Sequence, residues 1–213
     1  MNIEAFTFNP FSENTYLIYD DKGTGVVLDP GCMDKAEYDE LEDAVRARNI
    51  RIQEIILTHA HIDHIFGCAR LCQTYGVGLA MHPDDEFLFT RAEEMSRMFG
   101  LPLVPPPAPS RHFSHGETYT VGDINLYIRH TPGHSPGSVS FVNEEAGIII
   151  GGDVLLRNSI GRTDLPGGSM DVLLKSIREQ FFIYPDHFRI LSGHGPETTI
   201  GHEKKHNPFL QQI

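Results

Sequence analysis

Four side chains that can bind a metal ion lie within six residues of each other. The segment ILTHAHIDHIFG (56–67) holds His59, His61, Asp63 and His64 directly after a short apolar run. On an extended backbone, side chains two residues apart point the same way, so His59 and His61 can bind one ion. Asp63 and His64 point elsewhere and suit a neighbouring ion. The alternative is a polar loop that is rich in histidine by chance. A chance loop would rarely show this spacing, so the motif predicts a metal site.

Three further candidate ligands lie far along the chain. Each follows a strand-like run and is flanked by glycine or proline, so the edge of a sheet could deliver it into a cleft with little backbone bulk around it. For any one of them alone, a structural or surface role is an equally good interpretation. Together with segment 56–67 they indicate a metal site with several ligands. They are His134 in RHTPGHSPGS, Asp153 in IIIGGDVL and His194 in ILSGHGPE.

The composition narrows the class of protein. The 213 residues include 12 histidines, and 17 Lys and Arg against 29 Asp and Glu give a formal net charge of −12. That charge disfavours nucleic acid as a partner, because phosphate binding needs a basic surface. There is no apolar run of membrane-spanning length and no secretory leader pattern, and the three cysteines form no disulfide framework. We therefore expect a cytoplasmic protein with no membrane partner, and the oligomeric state stays open.

Hydrophobic periodicity predicts the elements that position these residues. Five prolines in 101–114 predict an extended connection between two halves, about 1–100 and 115–213. Each half is a run of strands with helices at its edges, which predicts a single domain, 1–213, folded as an α/β four-layer αββα sandwich of two mixed β-sheets. The predicted strands are 15–20, 25–28, 55–57, 77–81, 124–130, 138–142, 147–151 and 188–191, and the predicted helices are 34–48, 65–75, 83–98, 169–182 and a short one at the C-terminus.

The order of these motifs resembles that of the metallo-β-lactamase-fold hydrolase superfamily over nearly the whole chain. NPFSENTYLI near the start, GRTDLPGGS (161–169) and SGHGPETTIGHEKKHNPFL at the end are similar to the short glyoxalase II-like (hydroxyacylglutathione hydrolase-like) branch. The resemblance implies that one divalent ion is held by His59, His61 and His134, that a second is held by Asp63, His64 and His194, that Asp153 bridges the two, and that Asp29 supports the ligand loop.

The resemblance also implies an activity, which is hydrolysis of a small-molecule thioester of the glyoxalase II type. The nucleophile would be a hydroxide that bridges two divalent ions, because two such ions lower the pKa of a shared water towards about 7. Asp63 would orient this hydroxide besides binding metal. We expect zinc first, with iron or manganese as alternatives, since His and Asp ligands suit all three.

Two other functions stay open, namely a mononuclear iron persulfide dioxygenase and a metal-binding module without turnover. Lactam hydrolysis is not favoured, because the di-zinc lactamases of the cysteine type carry Cys where this chain has Asp153. Glutathione specificity is open as well. The longer glyoxalase II enzymes add a C-terminal domain that supplies basic glutathione-binding residues, whereas this chain ends about 20 residues after His194.

Candidate substrate-binding residues are few. The guanidinium of Arg162 could pair with a substrate carboxylate, since its geometry matches that of a carboxylate. Pairing with Asp164, which would hold the loop, is the alternative. Lys204, Lys205 and His206 near the end could contact an anionic thiol carrier or simply cover the surface.

Overall fold

The computed structural model of the protein describes residues 1–211 and contains two six-stranded β-sheets. The first sheet is mixed, since β1, β2 and β3 are antiparallel and β3 to β6 run parallel. In spatial order its strands are β1 (Asn2–Phe8), β2 (Glu13–Tyr19), β3 (Thr24–Leu28), β4 (Arg51–Ile56), β5 (Leu79–Met81) and β6 (Arg111–His112).

The second sheet is also mixed, with a single parallel pair between β10 and β13. A small hairpin of β11 (Leu155–Leu156) and β12 (Ser159–Ile160) follows β10. In spatial order the strands of the second sheet are β14 (Thr198–Thr199), β13 (Arg189–Ser192), β10 (Ile148–Gly152), β9 (Val139–Asn143), β8 (Ile124–His130) and β7 (Thr118–Val121).

Six α-helices accompany the sheets, and none in residues 1–211 is long and apolar enough to cross a membrane. The first begins at Asp34, whose side chain accepts hydrogen bonds from the N–H groups of Ala36 and Glu37, as is typical of an N-cap. The helices are α1 (Lys35–Ala47), α2 (Cys68–Tyr75), α3 (Glu86–Thr90), α4 (Ala92–Met98), α5 (Met170–Ser176) and α6 (Ile200–His206).

Three layers of apolar core confirm the predicted four-layer αββα sandwich. Because side chains alternate along a strand, each sheet has an apolar set on both faces. On β2, Leu17 packs with residues of α1 and α2, whereas Ile18 packs between the sheets against residues such as Phe141 of β9. On the second sheet, Ile149 packs with residues of α5 and α6. Helices therefore cover the outer face of each sheet.

Several predicted boundaries were wrong. Strands β1 and β7 were not predicted, because each lies at a sheet edge and presents only part of its surface to the core. The predicted helix 83–98 is a 3-10 turn (Pro83–Asp85) followed by α3 and α4, which are separated at Arg91. The predicted helix 169–182 is α5 extended by a π-helical turn (Ile177–Phe181). The extended connection 101–114 ends in β6, which pairs with β5.

Candidate metal centre

The candidate ligands collect at one end of the two sheets. Asp29 follows β3, the 56–67 segment follows β4, Asp153 follows β10 and His194 follows β13. The pairs β3/β4 and β10/β13 are each parallel, so their carboxyl ends meet at the same edge. The two sheets are joined there, since Asn14 donates a backbone hydrogen bond of 2.7 Å to the carbonyl of Gly193.

Three histidines, His59, His61 and His134, form the first ligand set. Nε2 of His134 lies 2.7 Å from Nδ1 of His61 and 3.2 Å from Nε2 of His59. Tetrahedral ligands about 2.0 Å from a zinc ion lie about 3.3 Å from one another. The three nitrogen atoms therefore converge as ligands of one ion would.

Hydrogen bonds on the opposite ring nitrogens hold two of these imidazoles. The hydroxyl of Thr58 donates to Asp29 Oδ2, so at 3.0 Å it accepts from Nδ1–H of His59 and leaves Nε2 free for metal. Nδ1–H of His134 donates to the carbonyl of Arg162 at 2.8 Å, with the same result. Such contacts select the tautomer and the ring orientation that a metal ion needs.

Asp63, His64 and His194 form the second ligand set, and their ligand atoms lie within 4.8 Å of one another. Nδ1–H of His64 donates to Oδ2 of Asp29 at 3.1 Å, and Nδ1–H of His194 donates to the carbonyl of Phe11 at 3.1 Å. Both Nε2 atoms therefore point into the centre. Nε2 of His194 lies 3.1 Å from Oδ2 of Asp63.

Asp153 lies between the two sets. Its Oδ2 is 3.6 Å from Nε2 of His134 in the first set and 3.4 Å from Nε2 of His194 in the second. Its Oδ1 is 3.7 Å from Nε2 of His64. One carboxylate thus faces both sets, which is the position of a bridging ligand.

The residues present fit divalent metal ions. Within residues 1–211, Nε2 of His64 and Oδ1 of Asp153 are buried and have no hydrogen-bond partner. Burying such polar atoms costs free energy unless they bind a cation. Glycines keep the space around them open. A Cβ at Gly193 would lie 2.2 Å from Oδ1 of Asp153, and one at Gly161 would lie 1.8 Å from the carbonyl of Asp153.

The two sets differ in electrostatics. Burial lowers the pKa of His59 and brings that of His61 to about 3, so both are neutral ligands at neutral pH. Burial also acts to lower the pKa of His64 and His194, but nearby carboxylates, Asp63 above all, outweigh it and raise both. In the metal-free protein, His64 and His194 therefore bind a proton more readily than His59 and His61 do.

Asp29, for which the resemblance implies a role in supporting the ligand loop, contacts both Thr58 and His64. Its Oδ1 accepts from the backbone N–H of Thr58 at 2.6 Å, and its Oδ2 accepts from the Thr58 hydroxyl and from His64. The backbone of Asp29 has φ of 50°, a left-handed conformation that Asp tolerates better than most residues. One carboxylate thus contacts His64 of the second set directly and reaches His59 of the first set through the Thr58 hydroxyl.

Sequence reasoning missed two residues that hold the ligand loops. Thr58 precedes His59 directly, and its position beside a ligand was the available signal. Asp85 is fully buried and accepts hydrogen bonds from Ala60 N, Gly137 N and Ser135 Oγ, but no local pattern marks it. It comes from the 3-10 turn before α3, in a stretch that was predicted as plain helix.

The candidate substrate-binding residues are placed differently. Arg162 lines the cavity at the centre, and Asp164 holds its guanidinium through two hydrogen bonds of 2.7 and 2.6 Å, which is the alternative pairing. Lys204 lies on α6 and pairs with Asp186 at 2.9 Å. Lys204, Lys205 and His206 are not among the residues that line this cavity, because α6 packs on the far side of the second sheet.

A further group, His82, Asp84 and His130, lies outside the centre. The rings of His82 and His130 are stacked, with their centroids 4.2 Å apart and an angle of 9° between their planes. Nε2 of His130 contacts the carbonyl of Pro136 at 2.8 Å. The ligand atoms of this group lie within 4.8 Å of one another, and His130 also supports the loop that carries His134.

Sequence comparison connects this geometry with known proteins. The profile described as the metallo-beta-lactamase superfamily matches residues 8–194. The chain is 37% identical over 212 residues to hydroxyacylglutathione hydrolase GloC of Haemophilus influenzae, and the match covers 99% of this chain and 98% of that protein.

Structural comparison also finds metallo-β-lactamase-fold proteins and confirms the predicted fold. The crystal structure of the BLEG-1 B3 metallo-β-lactamase matches with a TM-score of 0.89 and 35% identity, over 98% of this chain and 99% of that one. A di-iron-bound form of TTHA1623 matches with a TM-score of 0.87 and 36% identity, over 97% and 100% of the two chains. The chain is therefore a metallo-hydrolase that belongs to the metallo-β-lactamase superfamily.

Proposed function

We propose that this centre hydrolyses small-molecule thioesters in the manner of glyoxalase II. The observation that carries the proposal is the position of Asp153 between two complete ligand sets, which suits two ions acting on one carbonyl. The similarity to GloC supports the choice of a thioester, since that relative is a hydroxyacylglutathione hydrolase. The products are a carboxylic acid and a thiol, because water supplies the oxygen of the new C–O bond and the C–S bond breaks.

Two divalent ions would lower the pKa of a water and polarise the thioester carbonyl. The residues of the chain would do the rest. Asp63 is half-buried, and although burial acts to raise its pKa, the imidazoles of His64 and His194 hold it low. Asp63 therefore stays ionised at neutral pH and can accept a hydrogen bond from the attacking water, which orients it. A thiolate leaves with little need for a proton, so no dedicated general acid is required.

We propose zinc as the metal, with iron and manganese as the alternatives. Imidazole nitrogen and carboxylate oxygen bind all three ions, and the donor set alone does not discriminate between them. The di-iron form of TTHA1623, at 36% identity, makes iron the first alternative to measure.

The test combines metal content with turnover. Protein purified without added metal is expected to contain two divalent ions per chain and to hydrolyse lactoyl-glutathione. A chelator should abolish the activity, and re-addition of metal should restore it. Activity that survives complete metal removal would contradict the proposal. One iron per chain with oxygen consumption on a persulfide would replace it by a dioxygenase, and metal content without any turnover would replace it by a binding module.

A matched pair of variants sharpens this experiment. His194→Ala removes one ligand of the second set, so we expect about one ion per chain and a fall in kcat/KM of at least about a hundredfold. His187→Ala changes an exposed histidine that is not part of either set, and it should leave both measurements unchanged. A β-lactam belongs in the substrate panel as well, because BLEG-1 is described as a B3 metallo-β-lactamase.

A further inference from the structure

The cavity in front of the metal centre is mostly apolar. It has a volume of about 380 Å³, which is within the range of small-molecule sites. Apart from residues of the two ligand sets, Asp153 and Arg162, every described residue that lines it is apolar or glycine. The large apolar members are Phe11, Ile62, Leu88, Met95, Phe99, Leu156, Ile160 and Leu165.

Two aromatic rings form one wall of this cavity. Phe11 precedes β2, Phe99 follows α4, and their rings meet edge to face at a centroid distance of 5.8 Å and an angle of 87°. Phe11 is 37% exposed and Phe99 is 54% exposed, although both are large apolar side chains. Clustered apolar surface that stays open to water usually marks a binding site. Met95 of α4 lines the cavity as well. We call the two rings together with Met95 the aromatic wall.

The aromatic wall is continuous with the metal centre. The carbonyl of Phe11 accepts the hydrogen bond from Nδ1–H of His194 that orients this ligand, so the wall directly contacts the second set. Ile62 and Asp63 line the same cavity. A substrate whose carbonyl lies at the centre can therefore extend one substituent along the wall without leaving the cavity.

The charges of the cavity do not suit an anionic substituent. Among the described lining residues Arg162 is the only Lys or Arg, and Asp164 already neutralises it through two hydrogen bonds. Asp63 and Asp153 add negative charge, which the metal ions would offset. The cavity thus offers a substrate substituent apolar surface and no free cation.

We infer that the preferred substrates are thioesters of medium-length apolar acyl groups, with the acyl chain against the aromatic wall; this rests on the proposed thioester hydrolysis. A small hydroxyacyl group would use little of this surface, so it would gain little from the burial of apolar area. Each methylene that leaves water improves binding about threefold to fourfold. Among thioesters of one thiol, the length of the acyl chain therefore sets the specificity.

The experiment varies the acyl group on a constant thiol. Lactoyl-, acetyl-, butanoyl- and hexanoyl-glutathione are compared as substrates of the metal-loaded protein. We expect kcat/KM to rise along the unsubstituted series, with hexanoyl at least about tenfold above acetyl and above lactoyl. Because all four substrates share glutathione, the difference reports on the acyl site alone.

Variants tie the preference to the aromatic wall. Phe99→Ala and Met95→Ala should each lower the hexanoyl-to-acetyl ratio of kcat/KM at least fivefold, which is about the loss of one to two buried methylenes. Met98→Ala is the matched control, because Met98 lies on the same helix, is 75% exposed and does not line the cavity. Its ratio should equal that of the parent. Phe99 is more than half exposed, so its removal leaves the fold intact even if Met95→Ala proves unstable.

The outcomes separate the two claims. If all four thioesters react with similar kcat/KM, if lactoyl is preferred, or if Phe99→Ala leaves the ratio unchanged, the inference about the acyl group is overturned while thioester hydrolysis stands. If none of them is hydrolysed by protein that holds two metal ions per chain, thioester hydrolysis itself fails and the inference fails with it.

Discussion

Asp85 accepts a hydrogen bond of 3.0 Å from the backbone N–H of Ala60, the residue between two histidines of the first ligand set. The same carboxylate accepts from Gly137 N at 2.6 Å and from Ser135 Oγ at 2.7 Å. Ser135 follows His134 directly. The one carboxylate therefore joins the two loops that supply the first set, and it does so from a third segment of the chain.

Replacing Asp85 should loosen both loops. Asp85→Asn places an amide N–H group where the carboxylate accepts hydrogen bonds from donors. A hydrogen bond to a charged group contributes about 1.5–3 kcal/mol to the free energy of unfolding. Asp85 is fully buried, so water cannot replace the lost acceptor. We expect the free energy of unfolding of the metal-free protein to fall by about 2–4 kcal/mol in urea titration.

The neighbouring carboxylate is the control for this change. The side chain of Asp84 is 56% exposed, and Asp84→Asn should change the free energy of unfolding by less than about 0.5 kcal/mol. Equal stability of Asp85→Asn and the parent protein would contradict the joining role. Weaker metal binding by Asp85→Asn alone would support it further.

Thr58 should control metal affinity through His59. Thr58→Val keeps the shape of this buried side chain but removes the hydroxyl that links Asp29 Oδ2 to Nδ1 of His59. Loss of such a support typically weakens metal binding about 10–100-fold, and we expect that range in competition with a chromogenic chelator. Thr58→Ser retains the hydroxyl and should bind within about threefold of the parent. Equal affinities for the Val and Ser variants would show that the hydroxyl does not matter.

The two ligand sets should lose metal at different pH. Burial acts to lower the pKa of His64 and His194, but carboxylates such as Asp63 outweigh it, so both pKa values are raised in the metal-free protein. Metal must displace these protons, and affinity at the second set falls as pH drops below the raised values. His61, with a pKa of about 3, and His59, whose pKa burial also lowers, need no such release near neutrality.

The measurement is metal stoichiometry against pH. Equilibrium dialysis from about pH 8 down to about pH 5.5 should show the second ion leave before the first. Calorimetry in two buffers of different ionisation enthalpy should detect proton release on binding of the second ion. Simultaneous loss of both ions, or binding without proton release, would contradict the assignment of protons to the second set.

Arg162→Ala tests whether the guanidinium anchors a substrate carboxylate. Because Asp164 already binds it and its side chain is 62% exposed, we expect the KM of glutathione thioesters to change by less than about twofold. Arg189→Ala removes a comparable exposed pair with Glu197 and serves as the control. A tenfold rise in KM at low salt for Arg162→Ala alone would show that the guanidinium leaves Asp164 for the substrate.

Much of the fold could be predicted because its strands carry strong local patterns. Alternation along a strand such as β2, with Leu17 on one face and Ile18 on the other, predicts a sheet that is buried on both sides. Edge strands β1 and β7 were not predicted, because their exposed residues weaken the hydrophobic pattern of a strand. The 3-10 turn before α3 was missed as well, because contacts of Asp85 with loops far away in the chain hold it.

The sequence by itself determined which residues could bind metal, since the spacing in 56–67 sets side-chain directions locally. Its resemblance to a known family implied the distant ligands His134, Asp153 and His194. Only the tertiary structure decided how each ligand is held, which guanidinium is already paired, and which apolar side chains face the centre. Phe11 and Phe99 meet only because the segments that carry them pack together. A local pattern encodes the direction of a side chain along its own strand or helix, whereas contacts between distant segments depend on how the two sheets and their helices pack.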